Sequence, residues 1–140
     1  MALLMNTQDL SDYLGEVFPQ ISGEYRIEQL REGELTMRLL TGERHLRPGG
    51  TISGPAMFAL ADVSVYALIL AHIGKQALAV TTSCSLDFMR KPAAGADLLA
   101  TCTLLKLGKL LAVGDVLIFS ENASEPVARA TMTYAIPPKS

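Results

Sequence analysis

Residues 55–73 read Pro-Ala-Met-Phe-Ala-Leu-Ala-Asp-Val-Ser-Val-Tyr-Ala-Leu-Ile-Leu-Ala-His-Ile, an apolar run interrupted by one carboxylate, Asp62. A helix that is apolar on nearly every side belongs inside a protein, so the rest of the chain has to wrap around this one. The run approaches membrane-spanning length. Asp62 would then lie mid-bilayer, however, and strand-forming sequence follows at once, so a buried core helix is expected. A carboxylate in such a helix is costly unless it is paired, hydrogen-bonded or protonated. Chains that carry this cost often use the acid for chemistry. The bland reading is a structural Asp that caps a neighbouring segment or pairs with an Arg. The preceding segment, Arg47-Pro-Gly-Gly-Thr-Ile-Ser-Gly-Pro55, favours function because it starts the helix tightly. Ser53 or Gly54 is the expected N-cap, with Pro55 just inside, where its missing N–H costs nothing. Gly74 is the expected C-terminal stop.

Around this helix the sequence predicts a short helical segment and several strands. Residues 7–18 place Leu10, Tyr13, Leu14 and Val17 on one face, and Pro19 ends the segment. Residues 24–30 and 34–40 flank Arg31-Glu-Gly33, which reads as a hairpin. A loop then carries His45 to the long helix. After Gly74 the period becomes two: Val80, Thr82, Cys84, Leu86 and Phe88 make a mainly apolar face opposite Thr81, Ser83, Ser85, Asp87 and Met89. Further strands are expected at about 97–107, 110–119 and 127–136, with Ala128, Ala130, Met132 and Tyr134 sharing a face. No repeat or linker is visible. The economical solution is a single α+β domain over residues 1–140, one antiparallel sheet wrapped around one helix, with residues 1–20 as a helical N-terminal extension.

Composition excludes several partners. Hydrophobic residues make up 49% and charged ones 19%, which implies an ordered chain with some apolar surface left for another subunit. The formal charge is −2, and the basic residues do not cluster beyond the pair Arg90-Lys91, so nucleic acid is a poor partner. Cys84 and Cys102 lack zinc-ligand spacing and read as buried free thiols in a reducing cytosol. His45 and His72 are too few for a histidine-rich metal site; His72 suits the dipole at the helix end. The N-terminus Met-Ala-Leu-Leu-Met-Asn has no basic segment of the signal-peptide kind, so a cytoplasmic location is expected.

The order of elements, the glycine turn and the Asp resemble the hotdog-fold acyl-CoA thioesterases, most closely the PaaI-like (phenylacetate-degradation-type) branch, over about residues 20–136. The family turn usually reads Asn-x-x-Gly-x-x-His-Gly-Gly, with an Asp or Glu following inside the helix. Here Gly50 and Gly54 hold the first two glycine positions and Asp62 the acid position, while Arg47 replaces Asn, Ser53 replaces His and Pro55 replaces the last Gly. The segment Thr81-Thr-Ser-Cys-Ser-Leu-Asp-Phe-Met-Arg-Lys-Pro92 resembles the strand after the helix, whose early Ser or Thr assists the catalytic water. Phe88 in that alignment points to Thr81, with Thr82 the alternative if a bulge shifts the face. The resemblance implies a hotdog fold of about five or six strands around a central helix.

It also implies hydrolysis of an acyl-CoA thioester. Asp62 would be general base or nucleophile and the Gly54 N–H an oxyanion donor, with Asp62 leaning back towards the helix N-terminus. Thr81 would orient the water, and Ser53 would partly replace the family His. Arg47 would pair with Asp62 or meet substrate, and Arg90 and Lys91 would meet the CoA phosphates. Met57, Phe58 and Tyr66 are expected in the core or along the acyl pocket. No metal or organic cofactor is implied, since coenzyme A arrives with the substrate. A homo-oligomer, a dimer or a dimer of dimers, is expected, because one sheet leaves edge strands and half an active site exposed. Two other readings are a hydratase or dehydratase of the same fold, pairing His45 with Asp62, and a non-catalytic acyl-CoA binding module that has lost its His to Ser53.

Overall fold

In a computed structural model that describes residues 2–138, the apolar run forms the helix α2, Gly54–Ile73. Ser53 is its N-cap, extended in backbone, with its side chain accepting the Ala56 N–H; Gly54 and Pro55 follow as the first helical residues. Gly74, at φ 86°, closes the other end and donates its N–H to the Leu70 carbonyl. From Val63 to Ala71 every residue is buried, as a helix without a polar face requires. Among the described residues α2 is also the one helix long and apolar enough to cross a membrane, and here it is the centre of a wrapped sheet.

The wrapping is done by six antiparallel strands: β1 (Tyr25–Arg31), β2 (Glu34–Leu39), β3 (Val80–Phe88), β4 (Leu98–Leu107), β5 (Leu111–Ser120) and β6 (Ala128–Ala135). They lie in the order β1-β2-β4-β5-β6-β3. The expected elements are all present, with boundaries displaced by a residue or two, and the architecture is the hotdog fold. Alternation sets the inner face: Leu35, Met37 and Leu39 on β2, Leu98, Ala100, Cys102 and Leu104 on β4, and Ala112, Val116 and Ile118 on β5. Small residues over the middle of the helix let the layers approach. At Gly114 an added Cβ would stand 3.0 Å from both γ-methyls of Val65, so the helix rests directly on the β5 backbone.

The N-terminal helix α1 (Thr7–Val17) is started by a reciprocal cap between Asn6 and Asp9 and buries Leu10, Tyr13 and Leu14. Just before it, the N–H groups of Leu4 and Met5 donate to the Ala71 carbonyl and tie the extension to the far end of α2. A 3-10 turn, Pro19–Ile21, links α1 to β1.

β3 departs from the expected alternation. It is an edge strand, paired only with β6, and its register shifts between Thr81 and Ser83. The shift puts Thr81 opposite Tyr134, while Cys84, Leu86 and Phe88 lie opposite Met132, Ala130 and Ala128. A bulge adds one residue to the strand and so reverses the face of everything before it. Val80 and Thr82, expected on the inner face, therefore lie on the other one. The apolar residues of β3 are also less buried than alternation implies: Val80 and Phe88 are exposed, as is Cys84, contrary to the buried thiol expected.

Candidate active site

The bulge delivers Thr81 to Asp62. Thr81 Oγ1 donates to Asp62 Oδ1 at 2.5 Å. Tyr134, from the next strand, brings its Oη to 2.6 Å from the same oxygen and to 3.0 Å from the Asp62 carbonyl. Both hydroxyl donors converge on Oδ1, and Oδ2 has no hydrogen-bond partner among the described residues. Asp62 is half-buried at a groove of about 570 Å³ whose walls include Val17, Phe18, Val63, Tyr66, Ala79 and Val80. A ladder of rings backs it: Phe18 meets Tyr66 edge-on at 6.3 Å, and Tyr66 stacks on Tyr134 at 6.1 Å. The Tyr66 hydroxyl is fixed by donating to the Ala77 carbonyl at 2.7 Å.

The field of Asp62 is felt by its neighbours. Burial, then the Asp62 charge and hydrogen bond, push the Tyr134 phenol far above its usual range. Burial and, second, Asp62 raise the Cys84 thiol. Tyr25 is pushed up to about 12, chiefly by burial and then by Glu24, with Asp62 adding to the effect.

The helix start forms a second groove, of about 410 Å³, that gathers Arg47, Gly54, Met57, Phe88, Arg90 and Lys91. Gly49 and Gly50 take φ of 103° and 84°, which a side chain rarely tolerates, and they turn the chain so that the Gly50 N–H reaches the Arg47 carbonyl. In the first turn of α2, Pro55 has no N–H, Ala56 donates to Ser53 Oγ and Met57 to the Ser53 carbonyl. The Gly54 N–H has no such partner among the described residues, which makes it the free donor at the positive end of the helix. A Cβ on Gly54 would lie 3.2 Å from the tip of the Phe88 ring, so a side chain there fits only if that exposed ring shifts slightly.

Most of the other expected site residues stand apart from Asp62. Asp62 lies too far along α2 to meet Gly54: eight residues at the helical rise set it about 12 Å along the axis. The two residues line different grooves of one chain. Arg47 is exposed, forms no ion pair with Asp62, and stands with Gly54 instead. Arg90 is held by Glu125 at 2.8 Å and by the Pro126 carbonyl, whereas Lys91 makes no ion pair among the described residues. Ser53 is occupied as a cap. His45 is buried, with Nδ1 accepting the Gly42 N–H and Nε2 2.8 Å from Glu24, so both ring nitrogens are engaged away from Asp62. His72 serves as a clamp rather than a dipole cap: Nδ1 meets the Leu68 carbonyl and Nε2 accepts the Gly33 N–H of the hairpin turn. Phe58 is exposed, while Met57 and Tyr66 are buried and each edges a groove. Among the described residues no group of three or more His, Cys, Asp or Glu is arranged to hold a metal ion.

Tyr134 is the site residue that sequence reasoning missed, because it was placed with the inner face of the last strand. The available signal was its hydroxyl: a buried Tyr needs a hydrogen-bond partner, and few polar groups lie inside this sheet.

Comparison with known proteins agrees with this architecture. Residues 49–127 match the family described as Thioesterase superfamily. A candidate thioesterase from a Silicibacter species is 67% identical, with TM-score 0.93, over 99% of this chain and 96% of its own. The phenylacetic acid degradation protein PaaI of Thermus thermophilus is 28% identical, with TM-score 0.73, over 85% of this chain and 99% of its own. A hypothetical thioesterase of Streptococcus pneumoniae, solved with coenzyme A, shares the fold at 20% identity and TM-score 0.75, over 96% of this chain and 98% of its own. No match was found among curated proteins. With its matched segment covering the helix start, Asp62 and β3, this chain belongs to the thioesterase superfamily.

Proposed function

We propose that the protein hydrolyses acyl-CoA thioesters, converting thioester and water to free acid and coenzyme A thiol. The observation that carries this reading is the Asp62 carboxylate at the wall of a groove, anchored through Oδ1 by two hydroxyls while Oδ2 has no hydrogen-bond partner among the described residues. That oxygen either deprotonates a water that attacks the carbonyl carbon or attacks the carbon itself to give an anhydride that water then opens. The groove beside it, walled by Val17, Phe18 and Tyr66, takes the acyl group.

The oxyanion that develops on the carbonyl needs a donor about 3 Å away, and the free Gly54 N–H fits that task. Within one chain Gly54 is too far from Asp62 to serve the same carbonyl. The reading therefore requires two copies, one supplying Asp62 and Thr81 and the other Gly54. Support comes from β3, whose outer edge is unpaired and which exposes Val80 and Phe88, with Met89 exposed just beyond its end. Arg47 and Lys91, beside Gly54, then meet the phosphates of coenzyme A. The reaction needs no metal or organic cofactor, and its substrate suits a cytoplasmic protein.

Coenzyme A bound to the Streptococcus relative supports a CoA substrate class for this fold. The hydratase alternative loses its base, since His45 is committed to Glu24 and Gly42. The test is a panel of short, medium, branched and aryl acyl-CoA substrates, followed as released thiol. Turnover of at least one is expected. Binding of the whole panel without thiol release identifies a non-catalytic acyl-CoA module.

A further inference from the structure

We infer that Tyr134 is a positioning residue for this reaction, holding the Asp62 carboxylate by Oδ1 so that Oδ2 is the oxygen presented to water or substrate. The inference rests on the proposed role of Asp62 and assigns a task to a residue outside the family-like turn, helix and strand.

Tyr134 is 3% exposed, and its single hydroxyl proton has two acceptors within reach, Asp62 Oδ1 at 2.6 Å and the Asp62 carbonyl at 3.0 Å. The charged oxygen is the closer and the stronger acceptor. Thr81 shares the task but comes from an exposed edge strand through a bulge, whereas Tyr134 stands on β6 between β5 and β3. Its ring is packed on Tyr66, whose hydroxyl is itself tied to Ala77. Tyr134 is thus the rigid donor and Thr81 the adjustable one. Two donors on one oxygen fix the carboxylate plane and leave the other oxygen without a protein partner among the described residues.

The titratable groups that surround Asp62 are Tyr134 from β6, Cys84 from β3, Tyr25 from β1 and Tyr66 from its own helix. All four are acids pushed upward, so they stay neutral through mildly acidic and neutral pH. No Lys or Arg pairs with Asp62 among the described residues. A carboxylate that acts as base or nucleophile must be ionised to do so, which makes the acid limb of the kcat/KM–pH profile a readout of the proposed role.

The test compares wild type, Asp62→Asn and Tyr134→Phe on one hydrolysed acyl-CoA. Tyr134→Phe should lower kcat by about ten- to a hundredfold, the range expected when a hydrogen bond to a charged group is removed. KM should change little, and the acid limb should move to higher pH. A purely structural tyrosine would lower Tm while leaving kcat and the limb in place, and that result overturns the inference. If Tyr134→Phe does not fold, difluorotyrosine at position 134 decides. This stronger donor of similar volume should move the acid limb to lower pH, and an unmoved limb overturns the inference. An active Asp62→Asn enzyme instead removes the proposed function itself, which keeps the two failures distinct.

Discussion

The separation of Gly54 and Asp62 leads to a complementation experiment. Asp62 stands eight positions after Gly54, about 12 Å along the axis, while a thioester carbonyl must sit about 3 Å from both the oxyanion donor and the attacking oxygen. On the proposed reading each complete site takes Gly54 from one copy and Asp62 from another. Asp62→Asn removes the carboxylate. Gly54→Asp sets a negative charge where the oxyanion must form, and an acidic residue suits the first turn of a helix, so the fold should survive. The added Cβ needs only a small shift of the half-exposed Phe88 ring. Either variant alone has every site damaged. In a heterodimer one site carries both lesions and the other carries neither, so purified heterodimers should show about half of wild-type activity per chain pair. Random mixing makes about half of all dimers mixed, which lowers the expectation to about a quarter. Differently tagged chains, co-expressed and purified through both tags, are assayed by thiol release. Heterodimers no more active than the mean of the two parents would refute the shared site.

Four further outcomes are expected. Asp62→Asn should cut kcat by about two to four orders of magnitude; Asn still accepts both hydroxyls through Oδ1, so stability by calorimetry should change by no more than about 1 kcal/mol. Replacing Arg47 and Lys91 together with Ala should raise KM for acyl-CoA, spare a pantetheine thioester that lacks the nucleotide, and reduce the salt sensitivity of binding; equal losses on both substrates would make the pair structural. For acid, Glu28 is lowered by Arg38, and Asp97 is lowered although burial opposes it, because the Thr41 N–H and Arg38 outweigh that cost. Both contribute stability above the usual carboxylate range that is lost as pH falls through their depressed values, so Arg38→Met should flatten the acid side of a Tm–pH curve. For alkali, burial first and Asp115 second raise Cys102 from 9.0 to about 12, and burial raises Tyr25 to about 12. The unfolded chain then loses protons that the folded one retains, so Tm should fall as pH rises above about 9, and Cys102→Ser should weaken the early part of that fall.

The helix, the hairpin and the last three strands were legible because their signals are local and redundant. The run from Pro55 to Ile73 has no polar face, so it had to be central, and Ser53, Pro55 and Gly74 mark its ends by cap chemistry alone. The alternation of Ala128, Ala130, Met132 and Tyr134 survived because β6 is an inner strand, where a slip would turn the whole face to solvent. Asp62 was legible as an exception, a charge whose cost in that helix demanded partners. The identity of those partners was divided between what the sequence carries and what it does not. Thr81 was reached only through resemblance, with a bulge expected to bring in Thr82; plain alternation from Phe88 selects Thr82, and the bulge brings in Thr81 instead.

The difference is the bulge between Thr81 and Ser83. A bulge costs one unpaired residue, and on an edge strand that cost is small because the outer N–H and C=O groups are already unpaired. The residue types on β3 therefore do not announce it: Thr, Thr, Ser, Cys and Ser suit either face. What determines the register is tertiary. Asp62 needs donors, Tyr134 already faces it from β6, and shifting the start of β3 by one residue puts Thr81 opposite Tyr134 with its hydroxyl on the same oxygen. The alternative register would turn the Thr82 hydroxyl inward only by losing this pairing; as it stands, that hydroxyl meets the Thr133 carbonyl on the outer face. A half-buried carboxylate on the helix thus goes with the pleat of a strand nineteen residues away. Such a choice is visible only once both are in place.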